Sequence, residues 1–323
     1  VAAGFPAQPS GPQMVGVGYL GAIHARIYAA MPGVRLLAVA DVDMNAAQKV
    51  AEECGCLAYS EAQALVDKVD AVSIVVPTPH HREVAEPYLR NGIHVLLEKP
   101  IADRLSEGRA IVAEAQRSNT LLQIGHLERF NAGVVRLVEE LDRPRFIEVH
   151  RLGPFVPRAA AVDVVTDLMI HDIDIVLSLV TGELSYVSAV GARVVSDHVD
   201  IANARLEFAD GTIANVTASR VSSRRFRRIR VFGEACYLGL DFVNQQIDLS
   251  RPEPAENGNG FSRIHTESIA VESRPPLEVE LEHFVECVRN GCQPLVTGID
   301  GVRALEVAEQ VHCKINESLH IVK

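Results

Sequence analysis

A run of three glycines near the beginning of the chain has the spacing of a phosphate-binding turn. It follows a short apolar segment, opens a helical pattern, and reads Gly16-Val17-Gly18-Tyr19-Leu20-Gly21. The first glycine would allow a tight turn, the second a close approach of the backbone to a pyrophosphate, and the third close packing of helix on strand. The helix N-terminus would add N–H groups and a positive dipole. A glycine-rich turn that binds no ligand is the alternative.

An acidic residue follows at the distance expected of a ribose ligand. Asp41 ends the apolar run 36–40, about 20 residues after the glycines. A carboxylate there can accept both hydroxyl groups of an adenine ribose and would repel a 2′-phosphate, which favours NAD over NADP. The alternative is that Asp41 or Asp43 caps the following helix.

The elements around these residues predict a doubly wound parallel sheet. Short apolar runs alternate with helical patterns through the first half of the chain, as in βαβ units. The candidate strands are residues 14–17, 35–40, 71–76, 94–98 and 121–125, and the candidate helices are 22–31, 44–53, 81–90 and 106–117. We therefore expect an α/β protein with an N-terminal Rossmann domain at residues 1–125.

The second half has a different rhythm, in which strands follow one another with few helices between. The candidate strands are residues 146–151, 185–195, 201–208, 212–220, 227–232 and 235–242; the candidate helices are 165–179, 277–290 and 301–319. Residues 251–260 are polar and rich in turn formers, which favours a mobile surface loop. We expect a C-terminal α+β domain at residues 126–323 with a large, mostly antiparallel open sheet. Its last helices could pack back on the first domain.

Composition narrows the class of function. The 323 residues are 48% hydrophobic, and the formal net charge is −11. An acidic chain is a poor partner for nucleic acid or an anionic membrane, so a small-molecule substrate is expected. The six cysteines include no C-x-x-C pair, and we expect reduced thiols and no metal site. Without a recognisable signal peptide or membrane span, a cytoplasmic location is expected.

Three further motifs, in this order and spacing, carry a family resemblance. Val75-Val76-Pro77-Thr78-Pro79-His80-His81 and Glu98-Lys99-Pro100 each end a candidate strand, and Asp167-Leu168-Met169-Ile170-His171-Asp172-Ile173-Asp174 lies on the helix of the second domain. From Val15 onwards the chain resembles the Gfo/Idh/MocA oxidoreductases. The resemblance implies that Pro77, Thr78 and His81 line the nicotinamide half of the cofactor. It also implies that Glu98 and Lys99 lie beside the nicotinamide ribose and the substrate.

The helix motif departs from the family pattern D-x-G-x-H-x-x-D at one position. Met169 replaces the glycine, which suggests a different pocket wall, while Asp167 and His171 are kept. An imidazole with a pKa near neutrality is suited to accept the proton of a sugar hydroxyl, so His171 is our candidate general base. Lys99 could stabilise the developing alkoxide, and Asp167 could orient the pair. The alternatives are a surface lysine, a core histidine and a helix-capping aspartate.

A finer resemblance concerns the substrate. The segments 125–131, 150–155 and 167–174 look like the branch of the family that oxidises the 3-hydroxyl of UDP-N-acetylglucosamine. In that branch the 3-keto product goes to an aminotransferase and supplies a diamino sugar for lipid A. The candidate substrate ligands are His126, Arg129, Asn131, Arg151 and Arg158. Arginines recognise phosphate oxygens well, but salt bridging between the domains is equally compatible with them.

Two rivals remain at this point: a dehydrogenase of a free inositol or sugar, and a non-catalytic ligand sensor on the same fold. A free sugar has no diphosphate for Arg129 and Arg151, and a sensor has no need of Lys99 and His171. The run 220–230 holds six arginines, of which Arg228 and Arg230 alternate with apolar residues as on a strand with one wet face. The family resemblance implies a homodimer or homotetramer formed through this sheet.

Overall fold

The chain divides into two compact units in the computed structural model, which describes residues 11–66, 68–141, 143–156, 162–253, 263–271 and 274–321. The first unit combines the chain up to Leu127 with Pro275–Leu305. The second combines Glu128–Arg274 with the chain from Glu306 onwards. Among the described residues, no helix is long and apolar enough to cross a membrane.

The first unit contains the predicted doubly wound parallel sheet. Its strands are β1 (Gln13–Val15), β2 (Ala38–Ala40), β3 (Leu57–Tyr59), β4 (Ala71–Ile74), β5 (His94–Glu98) and β6 (Leu122–Gly125). They pair in the order β3-β2-β1-β4-β5-β6, and every pairing is parallel. The strand order reverses between β1 and β4, which is where open α/β sheets bind ligands at the carboxyl ends of their strands.

Helices surround this sheet. They are α1 (Tyr19–Ala30), α2 (Met44–Cys54), α3 (His81–Arg90), α4 (Leu105–Arg117) and, much later in the chain, α7 (Pro276–Asn290). Leu281 and Phe284 of α7 are fully buried in the same hydrophobic cluster as Tyr28 of α1. Because burial of one such side chain contributes about 1.5–3 kcal/mol, α7 is an integral part of the first unit.

Gln13 explains why β2 is shorter than the predicted strand 35–40. Its side chain is fully buried, and Oε1 accepts hydrogen bonds from the backbone N–H groups of Leu37 at 2.6 Å and Ala38 at 2.7 Å. Nε2 donates to the carbonyl oxygen of Arg35 at 3.2 Å. The side chain thus satisfies backbone groups that a longer β2 would pair with β1.

The second unit is built on an eight-stranded sheet. Its strands are β7 (Pro144–Leu152), β8 (Leu184–Ala192), β9 (Ile201–Phe208), β10 (Ile213–Ser219), β11 (Phe226–Gly233), β12 (Tyr237–Asp241), β13 (Gln246–Glu253) and β14 (Arg263–Ala270). The order is β14-β13-β12-β11-β7-β10-β9-β8, and β7 with β10 forms the parallel pair in an otherwise antiparallel ladder. The predicted mostly antiparallel sheet is confirmed.

Helices pack against one face of this sheet, and among the described residues the other face carries exposed side chains such as Tyr186, Val190 and Phe226. They are α5 (Ala132–Glu140), α6 (Ile170–Leu179) and the later part of α8 (Gly298–Ile321), which begins in the first unit. The predicted surface loop at 251–260 is wrong at its start, because residues 251–253 continue β13; residues 254–260 lie outside the described part of the chain. Strands β13 and β14 and helix α5 were not predicted.

Candidate active site

The glycine turn has the geometry that its sequence predicts. Gly16 adopts a positive φ of 84°, and a Cβ there would lie 2.4 Å from the carbonyl oxygen of Val75. A Cβ on Gly21 would lie 1.9 Å from the carbonyl oxygen of Gly16, so α1 packs directly on the turn. A Cβ on Gly18 would meet nothing within 4 Å, which leaves the backbone open to a close ligand. The three glycines therefore serve three different purposes.

A cavity of about 800 Å³ opens over this turn at the carboxyl ends of β1, β2 and β4. We call it the glycine-turn cavity. The predicted residues that line it are Gly16, Gly18, Tyr19, Leu20, Gly21, Asp41 and Pro77. A cavity of this size is within the range of cofactor sites. Its other side is formed by residues 60–63, which lie beside β3; sequence reasoning missed them because β3 has three residues and lies at the sheet edge.

Asp41 and Asp43 have different roles. Asp41 directly follows β2, and its carboxylate accepts from the backbone N–H of Val17 at 2.7 Å and of Asp43 at 2.9 Å. Asp43 caps α2 by accepting from the N–H groups of Asn45 and Ala46. The capping interpretation therefore applies to Asp43, and Asp41 is a carboxylate on the cavity wall beside the glycine turn. This arrangement fits an adenine ribose.

His81 is not among the residues that line the glycine-turn cavity. Its side chain is buried, with Nε2 3.0 Å from the carbonyl oxygen of Val76 and Nδ1 3.3 Å from that of Ile101. Burial lowers the pKa of His81, which favours the neutral ring. The structure thus makes His81 a support for the Val76–Pro77 segment. Thr78 begins a short 3₁₀ turn beside Pro77 and is half-buried.

Glu98, Lys99 and His126 follow or end neighbouring strands of the first unit. Glu98 ends β5 with 6% of its surface exposed, and Lys99 is half-buried directly after it. Lys99 donates its backbone N–H to Oε2 of Glu98 at 3.2 Å. His126 follows β6 and is buried. Glu98 and Lys99 are not among the residues that line the glycine-turn cavity.

The helix motif of the second unit begins with an irregular turn. Residues Val165–Met169 form a π-helical turn before α6, a feature that often marks functional sites. Asp163 caps it by accepting from the N–H groups of Val165 at 2.8 Å and Thr166 at 3.1 Å. Asp167 lies inside the turn and is half-buried, so the alternative that it caps the helix is wrong.

A second set of contacts holds the same turn. Thr166 Oγ1 donates to Asp163 at 2.9 Å, and Nε2 of His312 from α8 lies 3.2 Å from Oδ1 of Asp163. Burial opposes ionisation of Asp163, but hydrogen bonds from His312 and Thr166 prevail and lower its pKa to about 2. Asp163 is therefore a charged anchor at the start of the motif, which sequence reasoning missed.

His171 lies in the first turn of α6 and is 9% exposed. Met169 has no exposed surface, so the residue that replaces the family's glycine packs in the core and does not form an exposed pocket wall. Asp172 and Asp174, on the same helix, are 1% and 2% exposed. Buried carboxylates need partners, and both have arginines.

Arg151 belongs to a buried ion cluster within the second unit. Its Nε and Nη2 donate to the two carboxylate oxygens of Asp172 at 2.8 and 2.7 Å, and Nη1 donates to Glu128 at 3.1 Å. Arg227 also donates to Glu128. Burial opposes ionisation of Glu128, yet Arg151 and Arg227 hold its pKa below its ordinary value; burial raises the pKa of Asp172. Arg151 thus holds α6 on the sheet, which corrects its assignment as a phosphate ligand.

Arg129 and Asn131, two further predicted substrate ligands, also contact groups of the protein itself. Arg129 Nη1 lies 3.6 Å from Asp174, in the same unit. Asn131 caps α5, because its Oδ1 accepts from the N–H of Gly133 at 2.9 Å. Arg158 lies outside the described residues. The salt bridges of Arg129 and Arg151 therefore lie within one unit, not between two. In the described part of the chain, no group of three His, Cys, Asp or Glu side chains could hold a metal ion.

Comparisons with known proteins agree with these features. Residues 13–126 match the model of an oxidoreductase family with an NAD-binding Rossmann fold, and residues 139–238 match the Gfo/Idh/MocA C-terminal domain. UDP-N-acetylglucosamine 3-dehydrogenase of Acidithiobacillus ferrooxidans is 36% identical over 95% of this chain and 97% of that protein. Its solved structure covers 94% of this chain and 97% of its own, with a TM-score of 0.88.

A second relative has a different substrate. The scyllo-inositol 2-dehydrogenase (NAD(+)) of Bacillus subtilis is 30% identical over 91% of this chain and 90% of that protein. The N-terminal family model describes an oxidoreductase family, and both relatives are dehydrogenases. The NAD named for that family is the cofactor that the glycine turn and Asp41 fit. The chain therefore belongs to the Gfo/Idh/MocA oxidoreductase family, and it is an NAD-dependent oxidoreductase.

Proposed function

We propose that this protein oxidises the 3-hydroxyl group of UDP-N-acetylglucosamine to the 3-keto sugar, with NAD as the hydride acceptor. The observation that carries the substrate is the 36% identity to the Acidithiobacillus ferrooxidans enzyme, which extends over 95% of this chain. The likeness includes both units and is not confined to the cofactor fold. The first unit would hold NAD and the second would bind the sugar.

The chemistry requires removal of a proton from oxygen while a hydride leaves carbon. NAD, when bound, supplies the hydride acceptor. His171 would accept the hydroxyl proton, since imidazole changes its protonation state near neutral pH. Lys99 would hydrogen-bond the same oxygen and stabilise the developing negative charge, and Asp167 would orient the pair. These assignments rest on residue type and on the family motifs.

A free inositol remains the second candidate substrate, and one structural observation favours keeping it. Arg129 and Arg151 were expected to need a substrate diphosphate, but each lies against a carboxylate of its own unit. They therefore no longer argue against a substrate without phosphate. The Bacillus subtilis relative, at 30% identity, is an enzyme of this kind.

The substrate is tested by incubating the protein and NAD with UDP-N-acetylglucosamine, UDP-glucose, free N-acetylglucosamine and a set of inositols. We expect NADH formation with the first compound alone, and a product lighter than the substrate by two hydrogen atoms in mass spectrometry. If only inositols are turned over, the substrate is a free polyol and the proposed nucleotide sugar is wrong. Activity with both UDP-sugars but with no free sugar would show that the enzyme requires the diphosphate and does not require the N-acetyl group.

The proposal extends to the fate of the product, the place of the reaction and the assembly of the protein. A 3-keto nucleotide sugar would be consumed by an aminotransferase, in line with a role in lipid A biosynthesis, and the reaction would take place in the cytoplasm. The open face of the second unit's sheet would join a second copy of this chain. Its support is a row of exposed apolar side chains on that face: Tyr186, Val190, Phe226 and Phe232.

A further inference from the structure

A pair of polar side chains lies inside the first unit, between α1 and the sheet. His24 of α1 and Ser73 of β4 have no exposed surface. His24 Nδ1 is 3.1 Å from Ser73 Oγ, and His24 Nε2 is 3.5 Å from Oε1 of Glu98. Neither His24 nor Ser73 lines the glycine-turn cavity. The pair thus connects the core of the first unit to the residue that precedes Lys99.

The carboxylate of Glu98 is closely enclosed by the backbone of its own strand and of the neighbouring strand. Its other oxygen, Oε2, accepts the backbone N–H of Lys99 at 3.2 Å. On the neighbouring strand, a Cβ at Gly125 would lie 2.8 Å from Oε1, so Gly125 leaves just enough room for the carboxylate. A shift of Glu98 would therefore move the backbone of Lys99.

The position of the proton follows from the partners of these atoms. Among the described residues, neither His24 Nε2 nor Glu98 Oε1 has a hydrogen-bond partner, and the two atoms lie 3.5 Å apart. A buried donor or acceptor that is left without a partner destabilises the core. A proton on Nε2 would give both atoms a partner, because a carboxylate oxygen can accept from an N–H. Neutral imidazole then presents Nδ1 as an acceptor for the hydroxyl of Ser73.

The other titratable groups near Glu98 are His81 and Tyr28, besides Lys99 itself. Burial raises the pKa of Tyr28 and outweighs the lowering effect of Ser73; the carboxylates of Glu280 on α7 and Glu98 raise it further, so this phenol stays uncharged. Burial lowers the pKa of His81, which favours its neutral form. Neither of these two rings supplies a positive charge near neutral pH, and His24 is the residue of α1 that lies within 3.5 Å of the Glu98 carboxylate.

We propose that His24, held by Ser73, is a positioning residue: its Nε2–H donates to Glu98 and thereby fixes the backbone of Lys99. The effect on turnover rests on the proposed function. The hydrogen bond itself rests on the geometry of the first unit alone. The two parts need separate measurements.

The hydrogen bond is tested by nitrogen NMR of the wild-type protein labelled with ¹⁵N-histidine, with His24→Gln used to assign the His24 signals. We expect a neutral ring protonated at Nε2 at neutral pH. A ring protonated at Nδ1 would overturn the proposal. This test needs no substrate, so it stays decisive even if the assigned nucleotide sugar is not turned over.

The effect on turnover is tested with His24→Leu, His24→Gln and Ser73→Ala, using whichever substrate the wild type oxidises. His24→Leu should lower kcat about tenfold or more with little change in the KM for NAD, because Lys99 is displaced. The acid limb of its pH profile should move to higher pH, since a buried carboxyl group without its donor takes up a proton more readily. His24→Gln, which restores an N–H, should return the limb towards that of the wild type.

Ser73→Ala removes only the hydroxyl group that supports the His24 ring, so it should move the acid limb in the same direction by a smaller amount. This variant still tests the positioning role if His24→Leu fails to fold. His94→Gln, at the opposite end of β5, is the matched control and should leave the acid limb unmoved. An acid limb that stays in place in both His24→Leu and Ser73→Ala would refute the positioning role. Inactivity of the wild type with every sugar would instead refute the proposed function.

Discussion

At the scale of single residues, two aspartates two positions apart show how context separates a ligand from a cap. Asp41 lies on the wall of the glycine-turn cavity and accepts from the N–H of Val17, while Asp43 accepts from the first N–H groups of α2. Both are carboxylates at the carboxyl end of β2. Only Asp41 would meet the 2′ position of an adenine ribose.

Replacing Asp41 by Asn should therefore change cofactor preference. The variant removes the negative charge that repels a 2′-phosphate, and a hydrogen bond to a charged group contributes about 1.5–3 kcal/mol. We expect the ratio of kcat/KM for NADP to that for NAD to rise tenfold or more, on the order of that energy. Steady-state kinetics with both cofactors measures it.

Asp43→Asn is the matched control, because Asn is as good a helix cap as Asp. It should leave the ratio of the two cofactors unchanged. Equal ratios in the two variants would show that Asp41 does not discriminate between NAD and NADP.

At the scale of elements, buried ion pairs hold α6 against the sheet of the second unit. Arg151 forms two hydrogen bonds with Asp172 and one with Glu128, and all three side chains are less than a tenth exposed. Arg228 of β11 also pairs with an aspartate, Asp248 at 3.2 Å, but about a third of each side chain is exposed. The two pairs allow a direct comparison of burial.

Arg151→Met should lower the free energy of unfolding by about 3–5 kcal/mol, because it leaves the buried carboxylate of Asp172 without its partner and Glu128 with Arg227 alone. Arg228→Met, the control, should cost less than about 1 kcal/mol, since water screens an exposed pair. Chemical denaturation followed by circular dichroism measures both. Similar losses in the two variants would contradict the buried cluster.

The π-helical turn before His171 should be sensitive to acid. The pKa of Asp163 in the folded protein is about 2, below the value of about 3.9 usual for an unfolded chain. Its contribution to stability is therefore present above pH 4 or so and is lost as the pH falls to about 2.

In Asp163→Asn, the free energy of unfolding should fall less steeply than in the wild type over this acid range. Denaturation curves at several pH values measure the slope, and Asp197→Asn, an exposed aspartate of the same unit, serves as control. Identical slopes in the wild type and Asp163→Asn would show that this carboxylate does not anchor the turn.

Sequence patterns predicted those strands and turns whose signal lies in a short stretch of neighbouring residues. Strand β5 was predicted with its observed bounds because apolar residues fill it, and the glycine turn with Asp41 was recognised from spacing alone. Strand β14 was missed because its residues are mostly exposed and show no apolar alternation. Partners far apart in sequence, such as Arg151 and Asp172, depend on tertiary packing, so Arg151 was taken for a substrate ligand.

At the scale of the whole molecule, the open sheet of the second unit is the candidate surface for self-association. Phe232 lies on it with 37% of its surface exposed and contacts Phe146 and Tyr237, with ring centroids 5.8 and 5.0 Å apart. Arg228 and Arg230 share this face and pair with Asp248 and Glu148, as their alternation with apolar residues predicted.

Phe232→Glu should convert the proposed dimer or tetramer into smaller species, because it places a charge in the apolar contact. Sedimentation velocity measures the change. Leu57→Glu, on the exposed edge strand β3, is the control and should leave the sedimentation coefficient unchanged. If the wild-type protein sediments as a monomer, the open sheet is not an interface between copies of this chain.

Proton removal by His171, with Lys99 stabilising the developing negative charge, is the core of the proposed NAD-dependent oxidation of a nucleotide sugar. Its most direct test is the rate of NADH formation from NAD and UDP-N-acetylglucosamine by the wild type, Lys99→Ala and His171→Ala, each checked for folding and NAD binding. We expect turnover by the wild type and a loss of about 10²–10⁴-fold in kcat in each variant, with NAD binding retained. Variants that bind NAD and turn over the sugar at the wild-type rate would contradict the account.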